Sequence, residues 1–278
     1  MSGLTSWITD PLAHEFMQRG LVVAMMVGAV CALLSCYLVL KGWALMADAV
    51  SHAVLPGIVI AYVLQIPLAI GAFVAGLACA LGTGYLKQHS RVREDAVMGI
   101  VFSGMFALGL VLFVKVDTDQ HLNHILFGNL LGVQWRDVVE TAAIALPAIG
   151  LVLLKRRDLM LYCFDPAHAR AIGLPVNLLH FGLLSLIALT IVASLQAVGI
   201  ILVIAMMIAP GAVGFLLTKR FDRMLMVATA SAVLSSVAGT LLSFHIDAAT
   251  GPTIVVVQSG LVVCALLWAQ RSRAAVPA

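Results

Sequence analysis

A carboxylate and an imidazole stand one helical turn apart inside an apolar run. They are Asp48 and His52, in LMADAVSHAVLPG at residues 45–57. At i and i+4 of a helix, both side chains project from one face. Placing an ionisable group at membrane depth costs roughly 3 kcal/mol or more, so such groups face a partner, a water-filled path or a bound ion. Carboxylate plus imidazole is a ligand pair for a hard or borderline divalent cation. Pro56 lacks an N–H and therefore frees the carbonyl of His52, and Gly57 lets a second backbone approach closely. Two ligands do not complete a coordination sphere. Water, a freed carbonyl, another helix or a second subunit must supply the rest. The alternative is a hydrogen-bonded Asp–His pair that ties helices together.

Weaker metal candidates are His121 and His124, spaced i, i+3 in DTDQHLNH at 117–124. They either capture a cation at an entrance or solvate a loop. Pro210 frees the carbonyl of Met206 in a second Pro-Gly pair, which reads as a gate or a plain kink. The five cysteines are scattered without a CxxC, so they read as small packing residues. No GxxxxGK[ST] occurs, so this chain does not hold ATP by that device, and no HExxH or GxSxG suggests hydrolysis. Energy for active transport must come from a partner or an ion gradient. A secondary cation transporter is the competing class.

The elements that position Asp48 and His52 follow from composition. With 62% hydrophobic and 10% charged residues in 278, the chain is an all-α polytopic membrane protein, read as a single transmembrane domain over 1–278. Apolar runs fall near 20–40, 44–64, 67–86, 96–116, 138–154, 178–197, 198–217, 224–244 and 252–270. That predicts eight to nine transmembrane helices, because 178–217 reads as two spans or as one span plus a re-entrant helix. Residues 1–19, with Trp7 and Phe16, read as an external interfacial segment rather than a signal peptide.

Of the 16 Lys and Arg residues, all but Arg19, Lys115 and Arg136 fall in one alternate set of loops and the C-terminus. The positive-inside rule makes that set cytoplasmic. The opposite loops carry Asp10, Glu15, Asp117, Asp119, Asp137, Glu140 and Asp247, a distribution that attracts cations.

Four segments carry a resemblance: LKGWALMADAVSHAVLPG at 40–57, HILFGNLLGV at 124–133, FDPAHARAIG at 164–173 and AVGIILVIAMMIAP at 197–210. Through them the chain resembles, over roughly 20–270, the permease subunits of metal-ion ABC importers for manganese, iron and zinc. The resemblance implies a fold like that of the vitamin B12 and siderophore importer permeases, in the inner membrane of a bacterium. It implies a second permease subunit (a homodimer or a close paralogue), a cytoplasmic ATP-binding subunit and an extracytoplasmic metal-binding protein, with no nucleic acid partner. By the same resemblance, 165–175 is a cytoplasmic coupling helix contacting the ATPase, with Asp165, Pro166, Ala169 and Gly173 as its marked residues. Asp48 and His52 would contact the transported Mn²⁺, Fe²⁺ or Zn²⁺, with manganese and iron favoured. A permease for a metal chelate shares the fold but has no need of a ligand pair in the span.

Overall fold

The computed structural model describes residues 7, 10–115 and 130–274, and the described residues contain helices and no strands. The helices are α1 (Glu15–Lys41), α2 (Met46–Ala53), α3 (Leu55–Val63), α4 (Leu68–His89), α5 (Glu94–Lys115), α6 (Trp135–Leu154), α7 (Arg156–Phe164), α8 (Pro166–Ala171), α9 (Val176–Val198), α10 (Ile200–Leu217), α11 (Phe221–His245) and α12 (Thr250–Ala274). Taking α2 and α3 as one broken span, nine helices among the described residues are long and apolar enough to cross a bilayer. The stretch 178–217 is therefore two spans. They join at Gly199, whose φ of 83° and ψ of 166° form a one-residue turn that a side chain would strain. The first span begins at Glu15, so part of the expected interfacial segment belongs to the membrane helix.

α1 is the centre of the bundle. Val23, Cys31, Leu34, Tyr37 and Leu38 are fully enclosed there, and α10 and α11 pack along it. Ser35 bridges α1 to α10 beside Pro210. Its hydroxyl donates to the Ile208 carbonyl at 3.0 Å and accepts from the Gly211 N–H at 2.9 Å. α10 continues through Pro210 as one helix, which favours the kink over a gate. A hydroxyl satisfying backbone groups around a proline is what hydrocarbon demands, since water is absent.

The two ends of the bundle differ chemically. At one end Lys41 lies 4.2 Å over the Tyr162 ring, and Arg156 pairs with Asp222 at 3.2 Å. At the other end the Trp135 indole donates to Glu15, and Trp7 stacks on His245. The structure thus gathers the expected basic loops at the Lys41 end. The acidic mouth is milder than the loop count suggests. Glu15 pairs with Arg19, Glu140 pairs with Arg136, and Asp137 accepts from the Gln134 N–H to cap α6.

Candidate functional site

The chain reaches the site through Gly42. Its φ of 74° closes α1 with N–H contacts to the Leu38 and Val39 carbonyls, and Trp43 is drawn into the core. α2 then begins at Met46, and its inner face is set by packing. Met46, Ala47, Ala49, Val50, Ser51 and Ala53 are buried, leaving Asp48 and His52 on the opposite face. His52 Nε2 lies 3.3 Å from Asp48 Oδ1, and the side chains are 29% and 41% exposed respectively. The contact is within one helix, so it ties no two helices together. The pair opens away from the core of its own chain.

The wall beside it comes from α5. The Phe102 and Phe106 rings lie 5.8 Å and 5.5 Å from the imidazole, centre to centre. These two aromatics were not singled out in the sequence; their i, i+4 spacing is the signal that would have pointed to a shared face. Below the pair the helix breaks at Val54, and Pro56 sits in the first turn of α3. The His52 carbonyl is not left open as expected, since the Val54 N–H turns back to it. Gly57 performs the expected close approach, and its partner is Gly71 on α4, whose carbonyl oxygen occupies the place of a Cβ.

Two ligand atoms about 2.1 Å from a common ion, at an angle of about 100°, lie roughly 3.2 Å apart. The observed Nε2–Oδ1 separation of 3.3 Å therefore fits one cation without rearrangement. Among the described residues no third His, Cys, Asp or Glu joins them. Water or another chain must complete the sphere. His121 and His124 lie outside the described residues.

A cavity of about 350 Å³ opens between α4, α6 and α9 near Asp137 and Glu140, but neither Asp48 nor His52 lines it. At the Lys41 end, the expected segment 165–175 forms α8. Asp165 caps it, accepting from the Ala167 and His168 N–H groups at 3.0 Å each, and Pro166 occupies its first turn. Ala169 is fully buried, and Gly173 takes a φ of 85° at the exit. All four marked residues thus shape the helix. The exposed surface on and beside α8 includes Asp165, His168, Arg170, Ile172 and Gly173, with Phe164 at the end of α7.

His180, inside α9, was not weighed from the sequence. The structure places it against Tyr162, with the phenol oxygen 2.7 Å from Nδ1.

The profile of the ABC 3 transport family matches residues 13–269. The chain is 64% identical over 268 residues to the chelated iron transport system membrane protein YfeD of Yersinia pestis, covering 96% of this chain and 90% of that one. It is 52% identical over 265 residues to the manganese transport system membrane protein MntB of Synechocystis sp., covering 95% and 87%. A chain of PsaBC from Streptococcus pneumoniae, solved in complex with a Fab, superposes with a TM-score of 0.83 at 33% identity, covering 94% and 95%. The fold is shared with a chain assigned to a metal-chelate type ABC transporter in an inward-facing conformation, at a TM-score of 0.72 and 16% identity over 90% and 85%.

Proposed function

Because this chain belongs to the ABC 3 transport family, we propose that Asp48 and His52 contact a divalent transition-metal ion as it passes between this chain and a second permease subunit. The chain is a permease subunit of a metal-ion ABC transporter and a multi-pass bacterial membrane protein. Relatives named for manganese and for chelated iron favour Mn²⁺ and Fe²⁺ as cargo, and the ligand pair also admits Zn²⁺. The second permease subunit is a copy of this chain or a close paralogue.

The ion arrives hydrated from an extracytoplasmic metal-binding protein. The Asp48 carboxylate supplies negative charge, and the His52 Nε2 lone pair replaces one water. Both act from α2, and the next helix, α3, packs against α4 through Gly57 and Gly71. The remaining positions are filled by water or by the second subunit, which the outward-facing exposure of the pair favours. By the positive-inside rule the Lys41 end and the C-terminus are cytoplasmic. α8 then faces a separate ATP-binding subunit, and Phe164, His168 and Ile172 offer the docking surface. ATP hydrolysis on that subunit drives the alternation of access.

The observation that carries this reading is the 3.3 Å Asp48–His52 pair on the outward face of α2. Its test is uptake of Mn²⁺, Fe²⁺ and Zn²⁺ into vesicles holding the assembled transporter and its binding protein. Asp48→Ala and His52→Ala should each lower uptake at least about tenfold, with assembly and basal ATPase activity intact. Uptake that survives both changes would move the path elsewhere, and His121 and His124 would be next to test.

A further inference from the structure

A second polar cavity, of about 220 Å³, lies at the Lys41 end, away from Asp48 and His52. Four separate elements build it. Lys41 comes from the end of α1, Lys87 from α4, Arg170 from α8, and Asn177 and His180 from α9, with Trp43 in the α1–α2 turn. Not one of its lining residues is acidic. Asp165, the acid next in sequence to the lining residue Pro166, has its Oδ1 engaged by the Ala167 and His168 N–H groups of α8. Lys41, Lys87 and Arg170 give this cavity a positive field that attracts an anion.

The neutral groups point the same way. Trp43 is 2% exposed, and its Nε1–H, a donor with no acceptor function, finds no partner. The Tyr162 hydroxyl lies 2.7 Å from His180 Nδ1. Nε2 is buried and also without a hydrogen-bond partner. A Cβ on Gly84 would lie 3.0 Å from that nitrogen, so the glycine keeps space beside it. Unsatisfied buried donors are uncommon and each calls for an explanation. A cavity lined by three cations and the unpartnered Trp43 N–H repels a metal ion and suits an anion.

We infer that this cavity binds a phosphate group, held by Lys41, Lys87 and Arg170 with the Trp43 N–H and the Asn177 amide completing the shell. A tetrahedral phosphate presents acceptor oxygens in several directions, matching donors that converge from four elements, whereas a single carboxylate offers two oxygens in one plane. The bound group would join α8 to α1, α4 and α9, so occupancy would stiffen the segment proposed to meet the ATPase. Two sources share this chemistry: the headgroup of an anionic lipid at the membrane boundary, and free phosphate. The inference goes beyond the metal path and does not depend on it.

The test uses the full chain in micelles, with thermal unfolding as the readout. One arm compares phosphatidylglycerol with phosphatidylcholine; the other titrates inorganic phosphate against chloride at constant ionic strength. Phosphatidylglycerol, phosphate or both should raise the unfolding temperature by a few degrees. The double change Lys87→Gln and Arg170→Gln should weaken that effect by about tenfold or more. Trp43→Phe keeps the ring packing and removes the N–H, so it should weaken the effect without altering helix content. Lys155→Gln with Arg157→Gln removes the same charge outside the cavity and should leave the effect unchanged. A response to the lipid alone assigns the headgroup, and a response to both admits the free ion. No stabilisation by either, or equal loss in the Lys155/Arg157 pair, overturns the site. Metal uptake is not read, so this result stands or falls apart from Asp48 and His52.

Discussion

Gly57 and Gly71 meet backbone to backbone, so that a Cβ built on either would collide with the carbonyl oxygen of the other. The contact joins α3 to α4 directly after the break at Val54, just beyond the helix that carries Asp48 and His52. Gly57→Ala or Gly71→Ala must push the helices apart. The expected cost is about 1–3 kcal/mol, read as earlier unfolding in a denaturing-detergent titration. Uptake should fall in step, because α3 adjoins the helix that carries the pair. Wild-type stability in both variants would show that the crossing is not tight.

Ser35 is the polar link between α1 and α10. Ser35→Ala leaves the Gly211 N–H and the Ile208 carbonyl without their partner in a water-free core. Intramembrane hydrogen bonds of this kind are worth about 1–2 kcal/mol. Thermal unfolding in micelles should show that loss, with metal selectivity unchanged. A change in selectivity would place Ser35 in the path instead.

Protons and metal compete for the same Nε2 lone pair of His52. Acidification should raise the apparent KM for Mn²⁺ uptake, because a protonated imidazole has no lone pair to offer. The maximal rate at saturating Mn²⁺ should change much less. His52→Ala should lose this KM dependence. A KM that stays flat in the wild-type transporter would remove His52 from the ligand set.

Burial pushes the Cys163 thiol on α7 up to about 12, from an ordinary value of 9.0. The thiolate is the reactive form, so its fraction at pH 8 falls by about a thousandfold. Maleimide should leave Cys163 unlabelled in the folded protein at that pH and label it after denaturation, as peptide mass spectrometry would report. Labelling before unfolding would mean that α7 opens readily.

Asp165 holds the first turn of α8 through two N–H groups. Asp165→Ala should cost about 0.5–2 kcal/mol locally, while Asp165→Ser retains a capping oxygen. In the assembled transporter, the alanine variant should uncouple ATP hydrolysis from uptake more than the serine variant does. Equal coupling in the two would exclude the cap from signal transfer.

The approximate positions of the spans, the alternation of basic loops and the shared face of Asp48 and His52 were legible in the chain because each rests on local rules. Hydrocarbon length sets the apolar runs, basic residues mark alternate loops, and i, i+4 spacing puts Asp48 and His52 on one face. The same local logic found the close approach at Gly57, since a missing Cβ acts within a few residues, whereas Asp165 was marked only through the family resemblance and its capping role came from the structure. That logic did not find Gly71, Ser35, Phe102 or Phe106, whose roles are defined only by what approaches from a distant helix. Nor did it settle whether 178–217 is one span or two, which depended on the backbone angles of Gly199. Only the tertiary structure decided that the Asp48–His52 pair faces outward rather than tying helices together. The pattern of α2 declares a polar and an apolar face, but which distant helices (α4, α5, α9 and α10) pack around it is fixed only in the folded bundle.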